Sequence, residues 1–240
     1  MRYCGVVPAG PYLQLAVLEE VRTDEPPIRL AARFYEPAAP EAVVRELRSA
    51  DDAVIGVGSP LSAGPREAER ELRSRGVAPL PAHEGAQAMA AALGLALYAG
   101  GPSEVVEEGA YAATPVFETH PDGVFCALRG LRLPAKRHPF GIHLRIEELV
   151  EEHVEDDGGD LWHRRIEELE AAAVALAAHR FAVGHACWIG DPAESVIVQP
   201  GYRQPERFVS EGVIVLPGSR LPERFSGEGV IPPVPRIPLG

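Results

Sequence analysis

The chain has 240 residues, of which 46% are hydrophobic and 24% charged, values of a globular chain that argue against a disordered or fibrous one. Its 35 acidic residues against 23 Lys and Arg give a net charge of −12, and Lys136 is the single lysine. Such a field works against a general electrostatic grip on DNA or an anionic membrane, though it leaves room for a local basic path. Cys4, Cys126 and Cys187 are odd in number and far apart, without a CxxC pair. That argues against a disulfide framework or a cysteine zinc site and fits a reducing compartment.

The opening segment is broken by Pro8 and Gly10 before any apolar region can build up, so it does not read as a secretory signal. The longest apolar stretch, residues 86–99, is interrupted by Gln87 and Gly94 and is too short for a membrane span. A soluble, cytoplasmic protein is expected.

Residues 3–7 and 12–18 are apolar-rich runs joined by Pro8-Ala9-Gly10, which predicts two strands and a turn. Residues 28–35 predict a third strand. A helix is predicted over 40–48, with Val43, Val44 and Leu47 as its stripe. Residues 53–58 (AVIGVG) form a wholly apolar run, as expected of a strand covered on both faces. A turn over 59–64 leads into a helix over 66–75, with Pro65 suited to its start. A small-residue helix over 86–97 follows, and then a short strand, 116–119, bounded by Pro115 and Pro121. Two long helices are predicted: 142–154, with the stripe Ile142, Ile146, Leu149, Val150 and Val154, and 161–181, with Trp162, Ile166, Leu169, Ala173 and Leu176. The order β-β-β-α-β-α-α-β-α-α predicts a mixed sheet, antiparallel at its start and parallel afterwards, flanked by helices.

The end of the chain repeats itself. Glu194-Ser-Val-Ile-Val-Gln-Pro200 recurs from Glu211 and again from Glu228, with a period of 17 residues both times. The connecting segments 203–208 (RQPERF) and 220–225 (RLPERF) match as well. This reads as tandem duplication of a short strand-and-turn unit. The copies either add strands, or pack as arms on this molecule or a second one, or form a loosely held Pro-rich tail.

Several clusters could carry chemistry. In 54–62 (VIGVGSPLS) a strand ends in a tight turn where backbone amides could meet a phosphate, but the pattern is neither GxGxxG, a P-loop nor GxSxG. Strand alternation puts Val116, Glu118 and His120 on one face. A carboxylate in a short buried strand needs a partner or a metal, so Glu118 and His120 could ligate a divalent cation, act as acid and orienting group, or both reach solvent at a strand end. Glu167 and Glu170 lie one turn apart before a run of alanines. They read either as a solvated helix start or as a carboxylate projecting into a site. Eight acids between Glu147 and Asp160, with no Lys or Arg among them, supply most of the negative excess. A solvated helix face is the default reading. Like charges four residues apart there point to a counter-charge from elsewhere: Arg164 and Arg165, a cation or a partner. EF-hand and HExxH spacings are absent.

An ordered set of these segments resembles the domain-of-unknown-function family 429, whose members are predicted to adopt an RNase H-like fold. The set comprises Gly5-Val-Val7, Ile55-Gly-Val-Gly-Ser-Pro-Leu-Ser62, the Arg66/Arg70/Arg73 helix and Phe117-Glu-Thr-His-Pro121. It continues through Lys136 and Arg145, the Ala-rich helix from Glu170, and Val196-Ile-Val-Gln-Pro200. The resemblance implies one domain over about 1–202 and a separate tail, 203–240.

It also implies phosphodiester cleavage at carboxylates gathered around Mg²⁺ or Mn²⁺. Glu118 and Glu170 would be the catalytic and metal-binding acids, with His120 as a further ligand and Lys136, Arg145 and Arg66 meeting phosphate. The sequence departs from that pattern where Val7 and Gly58 replace two family acids. Neither offers a side-chain oxygen, and hard cations need several anionic ligands. The expectation is a nuclease-like fold with a degenerate site and no efficient nuclease activity. Such a protein would bind or assemble, with nucleic acid or a nucleotide in the ancestral cleft or self-association through the tail. The alternative is a divalent-metal-dependent nuclease or phosphohydrolase using Glu118 and Glu170.

Overall fold

The computed structural model describes residues 1–200 except 25, 51, 62–65, 75, 94–115, 131, 184 and 192–194. Three antiparallel strands open the chain: β1 (Arg2–Ala9), β2 (Tyr12–Arg22) and β3 (Ile28–Phe34). Helix α1 (Pro40–Arg48) leads to β4 (Ala53–Val57), which returns parallel to β1 with Gly5 opposite Gly56. After α2 (Glu67–Ser74) and α3 (Glu84–Ala92), β5 (Val116–Thr119) pairs parallel with β4. Then come α4 (Pro121–Arg129), α5 (Pro139–Glu151), β6 (Val154–Asp156), α6 (Ile166–Ala182), β7 (Ala186–Asp191) and β8 (Ser195–Pro200). The eight strands stand in the order β6-β3-β2-β1-β4-β5-β8-β7, with β8 parallel to β5. This is the mixed sheet expected, an antiparallel meander followed by parallel strands and flanked by helices.

Strand alternation divides the core in two. Cys4, Val6, Leu13, Leu15, Ile55, Val57 and Val116 pack with α1 and α3 on one face. Tyr3, Val7, Ala16, Leu18, Val54 and Phe117 pack with α6 on the other. Helix α6 is buried along most of its length, lying between the sheet and helices α4 and α5. A helix enclosed this way needs no polar stripe, and its alanines let it sit directly on the strands. Gly5 is the closest approach: a Cβ there would lie 2.0 Å from the Ala171 carbonyl oxygen and 2.4 Å from the Ala175 nitrogen. Leu169, Leu176 and Phe181 are fully excluded from water, each worth roughly 2–3 kcal/mol of burial.

The structure differs from the sequence expectation in particular places. Helix α4 falls where the sequence predicts only the end of a strand. His120 caps it, Pro121 starts it and Gly130, at φ 74°, ends it in the left-handed conformation that favours glycine. Its run Val124–Leu128 is buried without periodicity, so it carries no amphipathic signal. The helix expected over 142–154 begins at Pro139 and ends at Glu151, because Val154 enters β6 beside Leu30. The helix expected over 161–181 begins at Ile166. Leu161–His163 is a separate 3₁₀ turn, and Trp162, assigned to the buried stripe, is 51% exposed. Strand β7 is a further addition at the sheet edge.

The acidic run is not a bare solvated face either. Glu148 and Glu152 are buried, and Arg129, Arg180, Arg164 and Arg29 meet Glu148, Glu152, Asp156 and Glu155 respectively. The first copy of the tail motif forms β8; residues 203–240, and the part of the small-residue helix expected over 94–97, lie outside the described residues. No helix among the described residues is long and apolar enough to cross a membrane.

Candidate functional site

Glu118 shares its strand face with Val116, which packs in the α1/α3 layer, whereas Phe117 points the other way, to within 4.8 Å of the Phe181 ring on α6. Glu118 therefore lies on the face of the sheet away from Glu170. Its carboxylate accepts from Arg66 Nη1 at 2.9 Å, Arg66 Nη2 at 2.5 Å and the Leu61 amide at 3.1 Å. Arg66 also holds Glu69, whose carboxylate accepts from the Arg66 backbone amide at 2.8 Å. All three side chains are buried. Burial pushes the Glu118 carboxyl upward against the pull of Arg66, while that same guanidinium, outweighing burial, holds Glu69 below the usual carboxylate range. Arg66, expected to meet phosphate, is the shared cation of this buried triad.

His120 is likewise occupied. Its Nδ1 accepts from the Gly123 amide at 3.1 Å, which caps α4. Its Nε2 lies 3.0 Å from the Ala78 carbonyl, and since a carbonyl only accepts, Nε2 carries the hydrogen. Burial pushes this imidazole down and keeps it neutral. His83 does the same at the far end of that segment, accepting from Ala86 and meeting the Gly10 carbonyl at 2.9 Å. Two imidazoles thus anchor residues 78–83 as a strap across the ends of β1 and β5.

Beneath the strap is a cavity of about 250 Å³ at the carboxyl ends of β1, β4 and β5, the place where open α/β sheets present ligand sites. Val7 and Gly58 line it, as do Glu170, Lys136, Asp122 and His120. A Cβ on Gly58 would fall 2.8 Å from Val7 Cγ1 and 2.9 Å from Pro121 Cγ, so the space for a side chain at 58 is already filled. Lys136 Nζ donates to Glu170 Oε1 at 2.6 Å. Glu170 is 5% exposed, and burial pushes its carboxyl up against the lowering effect of Lys136. Arg145 is buried under the floor. It donates to the Pro134 and Gly141 carbonyls at 3.1 and 2.7 Å and to Asp122 Oδ1 at 2.7 Å, with Phe125 beside its guanidinium.

The structure thus brings Glu170, Lys136 and His120 to one cavity, holds Arg145 just behind it, and leaves Glu118 and Arg66 in a different layer. Asp122 is the residue that sequence reasoning missed. As the second residue of α4, after a His-Pro start, it is an ordinary helix-start acid by sequence, and only the unpredicted α4 brings it into the cavity lining with Glu170.

These features define an α/β protein of RNase H-like topology: three antiparallel strands, two parallel ones beside the first, and a buried helix behind them. Residues 21–194 match the family described as protein of unknown function (DUF429), and the chain belongs to that family. Among solved structures, it is similar to RuvC from Thermus thermophilus at 18% identity, covering 73% of this chain and 92% of that one, with a TM-score of 0.37. No curated protein matches the chain.

Proposed function

We propose that this chain is a non-catalytic binding member of its family, in which internal ion pairs stand where metal-dependent cleavage would need open carboxylates. The observation that carries this reading is the Lys136–Glu170 pair at 2.6 Å, in a cavity whose other strand-end positions are Val7 and Gly58. A divalent cation needs several oxygen ligands within 2.0–2.6 Å. Val7 and Gly58 supply none, and Glu118 is turned to the opposite face and saturated by Arg66 and Leu61. Both nitrogens of His120 are in use. Among the described residues no three His, Cys, Asp or Glu side chains gather where they could hold a metal. The residues present therefore do not fit Mg²⁺ or Mn²⁺.

Nucleic acid suits this cleft poorly for the same reason. Phosphate contacts need available cations, but Arg66 and Arg145 are buried and committed to carboxylates and carbonyls, and two acids line the cavity with Lys136. Incubation with Mg²⁺ or Mn²⁺ and single- or double-stranded DNA or RNA tests the reading. No cleavage above that of a Glu170→Gln control is expected. Metal-dependent cleavage that disappears in both Glu118→Gln and Glu170→Gln would overturn it.

A further inference from the structure

We infer that the cavity under the 78–83 strap binds a small, uncharged amide heterocycle of about ten non-hydrogen atoms, held between proline and aliphatic walls by Asp122, Lys136 and Glu170. This names the ligand class of the cleft and rests on its being a binding site.

Size comes first. A cavity of roughly 150 Å³ accepts one benzene ring, so 250 Å³ scales to about ten heavy atoms, a single or fused ring and its substituents. A nucleotide would leave its ribose and phosphate outside. The walls come next. Pro8, Pro81 and Pro121, with Val7 and Leu80, present an apolar lining, suited to the faces of a flat ring. The strap that carries Pro81 is fixed at both ends by His120 and His83, so the ligand need not order it.

The floor sets the polarity. Lys136 cancels Glu170, and Arg145 answers Asp122 from beneath. An anion would meet two carboxylates, and no arginine is among the described residues that line the cavity. A cation would have to displace Lys136 from Glu170. An uncharged ring can instead use the floor as it stands, with Lys136 as donor and the Asp122 and Glu170 oxygens as acceptors. A lactam or amidine edge, with donor and acceptor side by side, has that pattern.

Saturation-transfer NMR and calorimetry with uracil, adenine and nicotinamide as probes, and AMP and inorganic phosphate as anionic comparators, test this on the full chain. Saturable binding of at least one neutral probe is expected, with none of inorganic phosphate and no tighter binding of AMP than of adenine. Ala82→Trp, placed on the exposed rim, should block that binding while the melting temperature stays near wild type. Asp122→Asn, which keeps the side-chain shape, should weaken it by about tenfold. Failure of all three neutral probes, preference for AMP or phosphate, or binding unaffected by Ala82→Trp would overturn the inference. The non-catalytic reading fails separately, on cleavage in the presence of metal, so the two failures are distinguishable.

Discussion

Glu118→Ala separates a catalytic carboxylate from a structural one, because the geometry makes its cost calculable. The substitution removes the acceptor of two Arg66 hydrogen bonds, at 2.9 and 2.5 Å, and of the Leu61 amide at 3.1 Å. Arg66 and Glu118 are each under 5% exposed, so water cannot replace what is lost. Removing one member of a buried ion pair costs about 3–5 kcal/mol. Glu69 remains on Arg66 and offsets some of the charge imbalance, which favours the lower half of that range. For a domain of this size, a loss of about 3 kcal/mol lowers the melting temperature by roughly 6–12 °C. Urea titration followed by circular dichroism reads the free energy, and a cycle with Arg66→Met reads the coupling, expected at or above about 1.5 kcal/mol. A Glu118→Ala protein within about 0.5 kcal/mol of wild type, with coupling near zero, would refute the structural role.

Gly5→Val forces side-chain atoms into the Ala171 and Ala175 backbone; calorimetric melting should show a loss of about 3 kcal/mol or more, at or beyond the upper end of ordinary overpacking. Arg145→Lys keeps the charge but cannot reach Asp122, Pro134 and Gly141 together; chemical denaturation should show a cost of about 2 kcal/mol. His120 is held neutral by burial, so the folded state binds its proton less readily than the unfolded state, whose imidazole titrates near 6.5. Its contribution is present above about pH 6.5 and is lost as pH falls through the lower folded value. The raised carboxyls of Glu118 and Glu170 have the opposite slope, stabilising at low pH and losing that contribution as pH rises from about 4.5. Stability measured from pH 5 to 7 in His120→Asn, which keeps a capping acceptor, should therefore rise less with pH than in wild type.

Much of the sheet was legible because β1 to β5 each had a local signature, whereas β6 and β7 had none. The alternation in 3–7 and 12–18, and the wholly apolar AVIGV of β4, sufficed to place an antiparallel start and a parallel continuation. Helix α4 was not legible, since a helix buried on all sides loses its period, and Asp122 was lost with it. The opposite cause misassigned Trp162, which matched a helical stripe in spacing but sits on a 3₁₀ turn before α6 begins. Val7 and Gly58 drew attention only through the family resemblance, and the structure adds that Val7 and Pro121 fill the space at 58. Glu118 was readable as a buried carboxylate in need of a partner. That the partner is Arg66 follows from the fold bringing Leu61 and Arg66 against the Glu118 carboxylate, which no spacing in the sequence records.

On the proposed reading, the Lys136–Glu170 pair and the filled space at Gly58 leave no room for a divalent cation at the ends of β1 and β4. Calorimetric titration of the full chain with Mn²⁺ tests it most directly, with Glu170→Gln as the comparison. The account predicts no saturable Mn²⁺ binding at millimolar concentration and no difference between the two proteins. Saturable Mn²⁺ binding that is lost in Glu170→Gln would contradict it.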